Sequence, residues 1–245
     1  MKTKPIYLDD PYKKEMVARI IDVTAEKEGV WRLILDATVF YPMGGGQPTD
    51  QGTFSFSDGS QAEVYQVLLK EGEINHYVKT LFCPIVGMEV KGSIDWERRY
   101  KNMRIHSAGH VIDFSMYLLG YSPGILHPMK GDHGKKPFVL YRGIIGKEIK
   151  DELQKKSDEL IANDMRFSWN FELLENLEKE AIYLQPGLPK NKPLRALKLD
   201  GVGMVADGGT IVASTKEVGS ICITDVEIAE GHTCIKYQVI QIGNK

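Results

Sequence analysis

His106 and His110 stand four residues apart in the run WERRYKNMRIHSAGH. On an α-helix four residues turn about 400°, so the two imidazoles lie one above the other on one side. That spacing can offer two nitrogens to a single metal ion. It equally suits a pair of core or capping histidines. The residue after the first histidine is Ser107. A zinc peptidase of the His-Glu-x-x-His type needs a glutamate base there, so that chemistry is excluded. Far along the chain, GVGMVADGGTIVAST (201–215) sets Asp207 directly before Gly208 and Gly209. Paired glycines let backbone N–H groups come close to a ligand, and the Asp207 carboxylate can give an oxygen to a cation. Alone, the segment reads as a turn between strands. With His106 and His110 it makes a possible centre of two imidazoles and one carboxylate.

The elements that must hold these residues follow from patterning. Residues 96–121 contain no proline and one internal glycine, Gly109, ahead of Gly120. Tyr100, Met103, Ser107, His110, Val111, Phe114 and Leu118 recur at three- and four-residue steps, which predicts one helical face. Asp95 is placed to cap this helix and Gly120 to end it. Before it, Val-, Ile-, Trp- and Leu-rich blocks over 16–40 with a turn at Gly29 predict a hairpin, and short strands are expected at 62–69, 74–78 and 88–94. FYPMGGGQPTDQG (40–52) is too rich in glycine and proline to be the interior of a regular element. After the helix, 121–138 reads as a loop and Phe138–Tyr141 as a short strand. A second amphipathic helix is expected over 147–163, and a third over 172–184, stopped by Pro186. Strands at 220–229 and 233–242 flank a hairpin turn at Glu230-Gly231-His232. The predicted fold class is α+β. A small antiparallel β-barrel-like domain over 1–92 precedes a two-layer α/β domain with an antiparallel sheet over 93–245.

Composition narrows the function classes. Of 245 residues, 42% are apolar and 26% charged, as in soluble globular proteins. No run approaches the length of a membrane span, and the N-terminus has no apolar stretch of the kind that marks a signal peptide. Cys83, Cys222 and Cys234 are too few and too scattered for a disulfide scaffold, so a reducing cytoplasm is expected. The net charge of -2 hides an asymmetry. Residues 91–150 carry eleven Lys/Arg against five Asp/Glu, a balance of +6 that leaves -8 for the rest. A locally positive face on a near-neutral chain suits a nucleic-acid ligand but not a DNA-coating protein.

Three segments together resemble a known family. FYPMGGGQPTDQG is similar to the signature F-Y-P-x-G-G-G-Q-P-x-D-x-G, WERRYKNMRIHSAGH to the segment carrying H-x-x-x-H, and ADGGTIV to the segment usually read P-C-G-G-T-H-V. In this order and spacing they mark the editing region of alanyl-tRNA synthetase and its free-standing AlaX-type relatives. The resemblance covers about residues 15–242 and leaves no room for an aminoacylation domain, which implies the free-standing form. It implies hydrolysis of tRNA(Ala) wrongly charged with serine or glycine, the tRNA acceptor stem and 3′ end as partner, and neither DNA nor membrane. It also implies a zinc ion (Zn2+) held by the two histidines of H-x-x-x-H and by the cysteine and histidine of the third motif.

The chain departs from that pattern. His106 and His110 are kept, but Asp207 stands at the cysteine position and Ile211 at the last histidine position. Isoleucine binds no metal, and aspartate binds through a harder oxygen. Two imidazoles, one carboxylate and water are still an ordinary set for catalytic zinc. His127, His133, Cys222, His232 and Cys234 are alternative sources of the missing ligand. Gln47, Gly208, Gly209 and Thr210 are the expected substrate contacts. Arg98, Arg99, Lys101, Arg104, Lys135, Lys136 and the cluster over 190–198 are expected to hold the acceptor stem. The metal's role stays open between activating water and anchoring the substrate's amino group or ribose. Two other readings stay open: a metal-free acceptor-stem binding protein, and a metal-dependent hydrolase of another aminoacyl ester.

Overall fold

A computed structural model describes residues 2–240. The chain divides into two compact units, Met1–Lys101 and Asn102–Lys245. In the first, a short parallel pair, β1 (Lys4–Pro5) with β4 (Ala37–Thr38), and one helical turn, α1 (Ile6–Asp9), accompany a barrel. The barrel strands are β2 (Glu15–Lys27), β3 (Val30–Leu35), β5 (Gly52–Phe56), β6 (Gln61–Lys70), β7 (Glu73–Lys79) and β8 (Glu89–Ile94). They close antiparallel in the order β2-β3-β7-β6-β5-β8. Closure removes every open strand edge among these six. Alternation along β2 turns Met16, Ala18 and Ile20 inward, onto a core that includes Leu33, Leu35, Phe40, Phe54, Val64, Val78 and Val90. The barrel closes at Gly52, which lies between Val64 and Ile94; a Cβ there would stand 2.1 Å from the Ser93 carbonyl oxygen.

The glycine-rich segment is folded inward, not loose. Phe40, Tyr41, Gln47 and Asp50 are buried, and a tight turn joins the backbones of Gly44 and Gln47. The Tyr41 N–H donates to Asp50 Oδ2 at 2.7 Å. Asp50 is paired with Arg99, and neither side chain has any solvent exposure. Arg99 Nε lies 3.0 and 2.9 Å from the two carboxylate oxygens, while its other nitrogens donate to the carbonyls of Pro11 (2.8 Å) and Val39 (2.5 Å). This corrects one expectation: Arg99 is no surface cation for a phosphate. A charge taken out of water has to be paired and hydrogen-bonded, and the glycine-rich segment supplies that pairing.

Helix α2 (Trp96–Leu118) starts where the Asp95 carboxylate accepts the Arg98 N–H at 3.0 Å, the cap expected of it. The second unit has two antiparallel sheets. One contains β9 (His127–Asp132), β10 (Phe138–Arg142), β14 (Ser220–Ala229) and β15 (His232–Ile240) in the order β14-β15-β10-β9. The other contains β11 (Phe167–Glu172), β12 (Leu194–Leu199) and β13 (Gly203–Ala206) in chain order. Helix α3 (Lys150–Ala162) packs on β14, where the Gln154 amide bonds both the Ile221 carbonyl and the Ile223 N–H at 2.8 Å. Two short helices, α4 (Leu174–Glu180) and α5 (Thr215–Val218), complete the unit. The arrangement is α+β, as the patterning predicts.

Four details differ from the sequence reading. α2 is buried on more than one face, since Ala108, Ile112 and Met116 are as enclosed as Met103, Val111 and Phe114. Residues 127–132, expected as loop, form β9; it is an edge strand, where Pro128 is tolerated. Strands β11 and β12 were not anticipated, while β13 is the strand before the Asp207 turn, and the third helix is confined to Leu174–Glu180. Residues 241 and 242 of the last predicted strand lie outside the described residues. No helix among the described residues is long and apolar enough to cross a membrane.

Candidate metal centre

Helix α2 carries His106 and His110 one turn apart, with ring centroids separated by 5.0 Å. Asp207 follows β13 directly, and its N–H donates to the Arg195 carbonyl on β12 at 3.1 Å. The next stretch of chain is tied to the helix. The Val212 N–H donates to the buried Ser107 hydroxyl at 3.0 Å. These two backbone anchors bring Asp207 over the histidine pair. Asp207 Oδ1 lies 3.3 Å from His106 Nε2 and 3.4 Å from His110 Nε2. Among the described residues these three side chains form the one group of His, Cys, Asp or Glu able to hold a metal ion, with all ligand atoms within 4.8 Å of one another.

The donor set fits a divalent cation. Zinc binds imidazole nitrogen and carboxylate oxygen at about 2.0–2.2 Å, and the edge of a tetrahedron of that size is about 3.3–3.6 Å. The observed nitrogen-to-oxygen separations fall in that range. Both ring nitrogens of His110 are buried without a hydrogen-bond partner among the described residues, a costly state for imidazole unless something else engages it. On its far side, His110 Nδ1 is 4.0 Å from Asp113 Oδ2. Asp113 in turn accepts hydroxyl protons from Tyr141 and, at 3.0 Å, from Tyr183. At 4.0 Å the Asp113 contact with His110 is electrostatic and not a hydrogen bond.

Electrostatics favour the ligand forms of Asp207 and His106 but not that of His110. Burial would raise the Asp207 carboxyl, yet His106 and His110 hold it well below the usual carboxylate range. Burial lowers His106, keeping that ring neutral near pH 7. For His110 burial acts downward, but Asp207 and Asp113 outweigh it and raise the ring; a bound cation would have to displace that proton.

Sequence reasoning missed the residue that holds Asp207. Arg195 lies within the cluster expected to grip a tRNA stem, but it is 4% exposed. Its Nη2 is 2.6 Å from Asp207 Oδ2, and it donates further to the carbonyls of Gly209 and, at 3.1 Å, Asp207. The guanidinium lies 5.4 Å over the Trp169 ring. Arg104 is also engaged, with the Val218 and Ile240 carbonyls at 2.8–3.0 Å. Of the alternative ligands, none joins the group. His133 comes nearest. Its ring packs 4.5 Å from that of His106, and its Nδ1 is 2.7 Å from the Tyr237 hydroxyl. Space for that ring comes from glycine: a Cβ on Gly109 or Gly131 would stand 2.6 or 2.5 Å from it. Ile211 and Thr210 are fully buried, Gly209 is buried and Gly208 is exposed.

Residues 8–98 match the family described as tRNA synthetases class II (A). The chain is 32% identical to the alanyl-tRNA editing protein AlaX-M of Saccharolobus solfataricus, over 92% of its own length and 93% of that protein's. It is 33% identical to the alanyl-tRNA editing protein AlaX-L of Pyrococcus horikoshii, over 88% and 52%. It is 33% identical to the alanine–tRNA ligase of Pyrococcus abyssi, over 92% and 24%. The chain thus spans about half of AlaX-L and about a quarter of the ligase. It belongs to the alanyl-tRNA editing protein family.

Proposed function

We propose that the protein is a trans-editing hydrolase that removes serine or glycine from mischarged tRNA(Ala), at a zinc centre formed by His106, His110 and Asp207. In this reading residues 93–245 are the editing domain and 1–92 its glycine-rich companion. One observation carries it: a single carboxylate oxygen 3.3 and 3.4 Å from two stacked imidazole nitrogens. The names of the AlaX relatives support the substrate. When bound, zinc would supply Lewis acidity at the ester and lower the pKa of a coordinated water. Asp207 contributes the charge that retains the cation, and His106 and His110 contribute neutral nitrogens. Exposed Gly208, with nothing within 4 Å of where a Cβ would stand, leaves room beside Asp207 for an acyl-adenosine end. Thr210 and Gly209 shape the buried side of that loop. Exposed Lys135 and Lys136 face solvent, where they can meet acceptor-stem phosphates.

Elemental analysis and a deacylation assay test this together. About one zinc per chain is expected, with Ser- and Gly-tRNA(Ala) cleaved and Ala-tRNA(Ala) spared. His106→Ala should abolish cleavage while the protein stays folded, and activity that survives it refutes the site. Metal without cleavage of either mischarged tRNA points to another aminoacyl ester. Absence of both points to a binding protein.

A further inference from the structure

We propose that Arg195 is a positioning residue that makes Asp207 a one-oxygen ligand and so keeps the rest of the coordination sphere open. The inference rests on the metal reading above. A carboxylate is free in principle to hold a cation through one oxygen or through both. Here the two oxygens have separate tasks. Oδ1 faces both Nε2 atoms, at 3.3 and 3.4 Å. Oδ2 receives Arg195 Nη2 at 2.6 Å and the Gly209 N–H at 3.1 Å. Turning Oδ2 toward the cation would break both bonds and leave a guanidinium whose side chain is 1% exposed without its counter-charge.

Arg195 cannot follow such a turn. Its Nε donates to the Asp207 carbonyl, Nη2 also donates to the Gly209 carbonyl, and the guanidinium plane rests over Trp169. Across β12 and β13 the Asp207 N–H donates back to the Arg195 carbonyl at 3.1 Å. Side chain and backbone therefore hold each other in a closed pair. The planar fork of arginine is suited to this, because one guanidinium serves a carboxylate and two carbonyls at fixed angles. With Oδ2 masked, the protein would offer a cation three donor atoms, Asp207 Oδ1 and the Nε2 atoms of His106 and His110.

Cobalt(II) reads coordination number directly, since its visible bands are intense in four-coordinate sites and weak in five- or six-coordinate ones. Wild-type protein loaded with one equivalent of Co2+ should show the intense band. In Arg195→Gln the freed Oδ2 joins the metal, and the band should lose most of its intensity while the far-ultraviolet circular dichroism is unchanged. Arg195→Lys, which keeps the charge but not the fork, should lose part of it. Trp169→Leu, which leaves the guanidinium in place and removes its platform, should lose less; these two variants carry the test if Arg195→Gln does not fold. A folded Arg195→Gln, or failing that Arg195→Lys, with the wild-type spectrum overturns the proposal and leaves Arg195 as a structural pillar. A weak band in the wild type also overturns it while the metal reading stands. If the wild type takes up no Co2+ and contains no zinc, the metal reading fails and the inference with it.

Discussion

At the residue scale, single side chains in this protein are held by partners that came from distant parts of the chain. Asp207 is the clearest case. Asp207→Ala removes the centre's carboxylate and leaves Arg195 buried without a counter-charge, a loss of roughly 3–5 kcal/mol. Urea denaturation should show that cost, and under the proposed function the variant should retain no metal through dialysis. His76 offers a separate test in the barrel core. Its Nδ1 meets the Leu33 carbonyl at 3.2 Å and its Nε2 the Thr38 hydroxyl at 2.8 Å. Burial pushes its pKa down from 6.5 to about 4. Between those values the unfolded chain binds more protons than the folded one, so stability is intact above pH 6.5 and falls as pH drops toward 4. The loss is about 3 kcal/mol. Thermal unfolding of His76→Asn between pH 7 and pH 4.5 should show a flatter slope than wild type. The two histidines of the centre were readable from their helical spacing, and Asp207 from its place in a motif. Arg195 was not. In LRALKL a charged residue reads as a solvent face, and its partner lies just past the end of a neighbouring strand whose register the sequence does not state.

At the element scale, α2 explains why patterning told only part of the fold. Its three- and four-residue repeat was legible, but Ala108, Ile112 and Met116 enclose the opposite side as well, so the helix is central, not a surface helix with one apolar stripe. Gly109 shows what that demands. In an exposed helix Gly→Ala usually stabilises by roughly 0.5–1 kcal/mol. Here the added methyl would meet His133, which is held by Gly131 and Tyr237. Gly109→Ala should therefore lower the unfolding midpoint, with a cost of about 1–3 kcal/mol; a raised midpoint would show that the His133 ring is free to move. β9 escaped the reading because HPMKGD has neither alternation nor β-branched residues and takes its strand form from pairing with β10. The glycine-rich segment was recognised as irregular, yet its composition gave no hint that Asp50 would anchor Arg99.

At the scale of the whole molecule, the α+β class followed from β-rich stretches placed before and after a long helix. The charge asymmetry was real in composition but misleading in detail. Within 91–150 Arg99 is engaged by Asp50 and Arg104 by two carbonyls, so fewer cations face solvent than the sequence count suggests; outside it, Arg195 is engaged by Asp207. Lys135 and Lys136 are exposed. Under the proposed function, replacing both with alanine should weaken tRNA binding. The slope of log affinity against log salt should become shallower by about 1 for each phosphate left unneutralised. An unchanged slope would move the stem to another face.

The centre also contains no sulfur. Cys83, Cys222 and Cys234 lie outside the group of His106, His110 and Asp207. Thiolate ligands are the first to fail under peroxide, because sulfenic acid no longer holds the ion. Imidazole and carboxylate donors have no such lability, so under the proposed function hydrolysis should persist through oxidant exposure that would silence a cysteine-bearing catalyst.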